Sequence, residues 1–199
     1  LCYFNHYGGV FIMQKNKQMW SVKKLVFLAL LTAIQIVLTR VAVINIGGIY
    51  RITLGAIATV LAGLWMGPVA GGIEGGLADV IGCFISGYGV NPLITLSAVI
   101  WGVVAGIAGW FIKEKNRPMK SVIICVSIVI SGILGTLGFT TAGLVLMGQN
   151  FYAIMPGRVV QYAIMTPIYC VCTLVLYFSP LTAMVHENVR TGKLEKKTV

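Results

Sequence analysis

Residues 93–112 read LITLSAVIWGVVAGIAGWFI and run straight into KEKNRPMK at 113–120. Twenty uncharged residues at 1.5 Å per residue reach about 30 Å, the thickness of a bilayer's hydrocarbon core. The switch to Lys113, Lys115, Arg117 and Lys120 marks where such a helix leaves the membrane. Working outward, the same pattern recurs on both sides. Upstream lie apolar segments near 25–46, 52–66 and 69–85, separated by Gly47-Gly48 and Gly67-Pro68, which are helix stops and turns. Downstream lie 121–147 and 158–178, divided by a loop over 148–157. The reading is an all-α membrane protein, a compact bundle of six transmembrane helices.

Composition agrees. The 199 residues are 58% hydrophobic and 10% charged, where a soluble domain carries roughly 25% charged residues. This excludes an ordinary soluble domain and leaves no length for one beside the bundle. We expect a tail over 1–20, a six-helix transmembrane domain over 21–180 and a basic tail over 181–199. Met13 and the basic stretch after it read as a cytoplasmic start, with residues 1–12 as an upstream extension. The net charge of +10 does not point to nucleic acid, because the basic residues flank apolar segments and do not form one surface.

Those basic residues fix the topology. Nearly all lie at Lys15 to Lys24, Lys113 to Lys120 and Arg190 to Lys197. Cytoplasmic segments are enriched in Lys and Arg, and six spans put all three clusters, with both termini, on the cytoplasmic side. Three arginines are left for the opposite face: Arg40 late in the first span, Arg51 at the start of the second, Arg158 at the start of the sixth. A charge in or beside hydrocarbon is costly unless paired or set in a wet cavity. A guanidinium fork matches a carboxylate in bidentate fashion and stays charged. The cluster therefore suggests an anionic ligand taken from outside, and snorkelling to headgroups is the alternative for each arginine singly.

Two acids lie within spans, Glu74 and Asp79, about 140° apart around the third helix. Asp79 is a candidate acceptor for a ligand's amino or ring nitrogen groups, or a structural partner of an arginine. Glu74, nearer the cytoplasmic end, is a candidate for a partner interface. Tyr50, Tyr88, Asn91 and Gln161 sit near outer span ends, where aromatic faces and amides beside arginines suit a flat heteroaromatic anion. Interfacial aromatic belts explain tyrosines there equally well. Small residues four apart, Gly71 with Gly75 and Gly102 with Gly106, read as close helix packing; Ala29 and Ala33 share that spacing.

Chemistry beyond binding finds no support in the residues. There is no nucleophile with a base, no carboxylate pair, no phosphate-binding glycine loop and no metal-ligand spacing; four of the five cysteines lie in apolar runs, where they act as small hydrophobes. We expect neither enzyme activity nor a cofactor or metal. Two readings compete with ligand capture: a stand-alone proton-coupled carrier using Asp79 or Glu74, and a membrane scaffold without a ligand.

The strings RITLG (51–55), AGLWMGPVAGG (62–72) and LADVIG (77–82), with Leu38-Thr39-Arg40, Thr95-Leu96-Ser97-Ala98 and Arg158-Val159-Val160-Gln161, resemble the substrate-binding subunits of energy-coupling-factor vitamin transporters, the folate-specific subfamily most of all. The resemblance covers most of the membrane region. It implies a six-helix vitamin-binding subunit in a bacterial cytoplasmic membrane, working with a transmembrane coupling subunit and two cytoplasmic ATPases. It further implies that Ala29 and Ala33 contact the coupling subunit, that the arginines hold the carboxylates of a folate-type anion, and that Thr141 belongs to the site. At two places the chain departs from the folate pattern: Asn91-Pro92-Leu93-Ile94-Thr95 lacks an aromatic, and Thr140-Thr141-Ala142-Gly143-Leu144 lacks a tryptophan. Pantothenate or a queuosine precursor stay open as alternatives.

Overall fold

A computed structural model describes residues 22–41, 44–46, 50–87 and 89–191, with the strands given by backbone alone. The elements are α1 (Val22–Arg40), β1 (Ile44–Ile46), β2 (Tyr50–Ile52), α2 (Ala56–Met66), α3 (Pro68–Ser86), α4 (Pro92–Ile112), α5 (Arg117–Ser131), a π-helical segment (Gly132–Thr140), α6 (Thr141–Leu146), α7 (Phe151–Phe178) and α8 (Pro180–Thr191). Five stretches are long and apolar enough to cross a bilayer, with α5, the π segment and α6 counting as one of 30 residues. The sixth, α2, has 11 residues. It is the all-helical membrane bundle the sequence predicts, with one small hairpin.

The first span differs from expectation. It ends at Arg40, and residues 44–46 pair antiparallel with 50–52, placing Asn45 opposite Arg51 and Ile46 opposite Tyr50. The second span is correspondingly shorter. At about 1.5 Å per residue α2 reaches only about 16 Å, yet all ten residues from Ile57 to Met66 are buried. Neighbouring helices bury it. Irregular backbone at membrane depth is tolerated when protein covers it, and the segment before α2 meets that condition: Tyr169 Oη donates to the Thr53 carbonyl at 2.7 Å.

Close packing of α2, α3 and α4 depends on missing side chains. A Cβ on Gly102 would fall 2.0 Å from the Gly71 carbonyl oxygen, one on Gly75 2.4 Å from that of Ala98, and one on Gly63 2.5 Å from that of Gly102. In lipid, where hydrophobicity no longer drives helices together, such backbone approach holds them. At the α2–α3 junction Gly67 takes φ 95°, which permits the reversal, and Pro68 starts α3.

Two further corrections concern the far end of the chain. The expected loop over 148–157 is helix from Phe151 on, with α7 capped by Asn150, whose side chain accepts from Tyr152 N at 3.1 Å. The expected basic tail begins as α8, which docks through buried Val185 and through Trp65 Nε1 donating to Thr182 Oγ1 at 3.1 Å. Val185 joins Leu28, Leu31, Ile57, Leu61 and Trp65 in a cluster that closes one end of the bundle.

Candidate ligand-binding site

The half of the bundle nearest the hairpin encloses a cavity of about 810 Å³, within the 300–1,000 Å³ usual for small-molecule sites. Its walls come from α1, α2 and the segment before it, α3, α4, the π segment, the α6–α7 turn and α7. Polar side chains on these walls face one another across an otherwise apolar protein. They include Arg40, Asp79, Arg158 and Gln161 of the expected site residues.

Arg40 is the last residue of α1, and its side chain lies over α3. Gly82 makes room for it, since a Cβ there would sit 2.7 Å from Nε and 2.8 Å from Nη2. Nη2 donates to Cys83 Sγ at 3.7 Å, while Nε is buried with no hydrogen-bond partner among the described residues. Arg158 stands about two turns into α7, half-buried on the same cavity. Asp79 accepts from Thr95 Oγ1 through Oδ2 at 2.7 Å, so a neutral hydroxyl serves one oxygen and the other is available to the cavity. Among the described residues the cavity lining holds two guanidiniums and one carboxylate, a net positive charge in a low-dielectric setting that favours an anion.

Aromatic and hydroxyl groups form the rest of the wall. Trp101 meets Tyr169 edge to face with centroids 5.7 Å apart. Tyr162 Oη donates to the Val129 carbonyl at 3.1 Å. Both rings rest on glycines of the π segment, for a Cβ on Gly135 would lie 2.8 Å from the Trp101 ring and one on Gly132 2.3 Å from that of Tyr162. The wider π turn, a feature enriched at functional sites, brings Thr136 and Thr140 to the cavity, where Thr140 Oγ1 donates to Ser97 Oγ at 2.8 Å. Aromatic faces absent from the two departing motifs are thus present on α4 and α7.

Other expected residues lie elsewhere. Asn91 is off the cavity wall: its side chain accepts from Leu93 N and donates to the Gly143 carbonyl, each at 3.0 Å, capping α4 and tying it to α6. Thr141 is buried beside the wall, its hydroxyl donating to the Thr136 carbonyl at 3.1 Å across the π turn. Arg51 and Tyr50 lie in β2, their side chains outside the described residues, as is Tyr88 altogether. Ala29 and Ala33 are exposed on the outer side of α1, away from the cavity.

Glu74 overturns its expected surface role. It is 0% exposed, sealed behind the cavity floor against Gln35 of α1 and Thr59 of α2. Gln35, Thr59, Ser97, Trp101, Thr136 and Tyr169 line the cavity and escaped the reading by charge. A lone Gln35 within an apolar span was the available signal, because uncharged polar groups at that depth also need partners.

The chain matches the family described as ECF transporter, substrate-specific component, over residues 23–177. It is 32% identical over 155 residues to the Folate transporter FolT of Clostridium novyi (strain NT), covering 77% of this chain and 87% of that protein. Among solved structures, the crystal structure of FolT bound with folic acid is similar, with a TM-score of 0.67 and 25% identity over 78% of this chain and 93% of that one.

Proposed function

This chain belongs to the substrate-specific components of ECF transporters, and from that premise we propose that it captures a folate-type vitamin from outside a bacterial cell for ATP-driven uptake. The supporting observation is the meeting of Arg40 and Arg158 with Asp79, Trp101, Tyr162 and Tyr169 in one cavity of suitable size. Folate has what those groups would recognise: a flat heteroaromatic ring and a glutamate tail with two carboxylates. The guanidiniums take the carboxylates. Asp79 accepts from the ring's amino or N–H groups, Gln161 hydrogen-bonds beside Arg158, and the aromatics supply faces for stacking. Arg51, Tyr50 and Tyr88, whose side chains lie outside the described residues, are proposed as further ligand contacts. Asn91 and Thr141 serve the site indirectly, by holding α4, α6 and the π turn that form its wall.

The chain carries no nucleotide-binding motif, so the energy comes from partners: a transmembrane coupling subunit seated on the exposed Ala29 and Ala33 of α1, and two cytoplasmic ATPases. Both termini then lie in the cytoplasm, and the cavity faces out. The protein acts by binding and carries out no chemical step on its ligand.

Calorimetry on purified protein, with mass spectrometry of any copurifying small molecule, tests the reading. Folate should bind tightly or copurify. Absence of folate binding, with pantothenate or a queuosine precursor recovered instead, would overturn the substrate assignment and leave the family intact.

A further inference from the structure

Below the arginines, three polar side chains from three helices meet at the floor of the cavity. Gln35 and Thr59 lie on the cavity wall and Glu74 stands behind them, fully enclosed. One of the two amide positions of Gln35 lies 2.5 and 2.9 Å from the two oxygens of Glu74 and 2.6 Å from Thr59 Oγ1, and the other lies 3.0 Å from the same hydroxyl. An ionised carboxylate can only accept. Toward ionised Glu74 the amide therefore turns its N–H groups, and its oxygen lies on the side away from the carboxyl, beside the Thr59 hydroxyl that donates to it.

We infer that Glu74 is a positioning residue which, by holding the Gln35 amide, gives the floor of the cavity an acceptor character and so selects ligands that present an N–H edge there. This deepens the proposed function and rests on its reading of the cavity as the site of a flat heteroaromatic anion. Glu74 does not touch the ligand. Its effect passes through Gln35, and a buried acceptor left facing another acceptor is the penalty that rejects the wrong ring edge.

Glu74→Gln is the informative substitution. A carboxamide of the same size offers one accepting and one donating end, so Gln35 can turn either way and the floor loses its fixed polarity. Folate and its 4-amino analogue differ in hydrogen-bond polarity along one ring edge and share the same glutamate tail. Calorimetry should give at least a tenfold affinity ratio between them for the wild-type protein. For Glu74→Gln the ratio should fall to threefold or less, with the protein still folded and Arg40, Asp79 and Arg158 intact. Gln35→Met, which keeps length but removes the amide, should also collapse the ratio, and it serves if Glu74→Gln does not fold. A merely structural Glu74 would weaken both ligands alike and preserve the ratio, which overturns the inference while leaving the folate reading in place. Wild-type protein that binds neither compound overturns the folate reading and this inference with it.

Discussion

The guanidinium of Arg40 rests on Gly82, with Nε and Nη2 within 2.8 Å of where a Cβ on that residue would be. A charge at the end of α1 is thereby positioned by a hydrogen atom on α3. Among the described residues space, and no opposite charge, is what holds it: its contact there is the weak acceptor Cys83 Sγ. An arginine kept by shape with Nε unpaired is ready for a ligand's carboxylate.

Gly82→Ala should displace that guanidinium while leaving the helix intact, since alanine is the better helix former. We expect folate affinity to fall by about tenfold, equivalent to about 1.4 kcal/mol, with little loss of thermal stability in detergent. Unchanged affinity in titration calorimetry would remove Arg40 from the site.

Arg158 allows a separate test of fork against point charge. Arg158→Ala should weaken folate binding tenfold or more, and Arg158→Lys should recover less than half of that loss in free energy, because an ammonium cannot pair in bidentate fashion. If lysine restores full affinity, the residue contributes only charge.

Much of this was legible in the sequence, for reasons that particular residues make plain. The span at 93–112 announced itself because hydrocarbon tolerates so few alternatives, and charge bookkeeping brought Arg40 and Arg158 to one end before any coordinates. Charge was also the limit of that method. Gln35, Thr59, Ser97 and Thr140 are uncharged and lie in apolar runs, so only the fold reveals that they share a cavity. Helical spacing placed Glu74 and Asp79 on different faces, and that holds. It could not say that α1 and α2 would cover the face of Glu74. The π turn is invisible for a different reason: its residues, GILGTLGFT, are compatible with an ordinary apolar helix, and the added width comes from fitting Trp101 and Tyr162 against Gly135 and Gly132.

Binding and coupling should be separable on α1. Ala29 and Ala33 are exposed, and neither lines the cavity. Ala29→Leu with Ala33→Leu should leave folate affinity within about twofold and abolish ATP-dependent uptake in vesicles holding the full transporter, because bulk at a small-xxx-small face prevents close helix approach. Uptake at the wild-type rate would place the coupling contact elsewhere.

The α8 helix lies outside the stretch matched to the family, residues 23–177, yet it seals Trp65 and the cluster around Leu28. Thr182→Val removes the acceptor of Trp65 Nε1 and should cost about 1–3 kcal/mol of stability. The effect should appear as a lower melting temperature in detergent with folate affinity unchanged, since the cavity is at the other end of α2. A fall in affinity would mean that α8 shapes the site.

Tyr169 joins the two halves of the argument, fold and site. Its hydroxyl donates to the Thr53 carbonyl, an irregular-backbone acceptor with no helix to satisfy it, and its ring braces Trp101 on the cavity wall. Tyr169→Phe keeps the ring and deletes only the donor, so stacking survives and the carbonyl is left bare at membrane depth. A buried acceptor without a partner costs about 1–3 kcal/mol, and because Thr53 leads directly from the hairpin that carries Arg51 into α2, the loss should loosen the rim as well as the fold. We therefore expect lower thermal stability together with a faster folate off-rate, measurable by stopped-flow fluorescence, while Trp101→Phe should slow nothing and instead reduce the affinity contributed by the aromatic wall. An off-rate unchanged in Tyr169→Phe would show that the rim is held from the hairpin side alone.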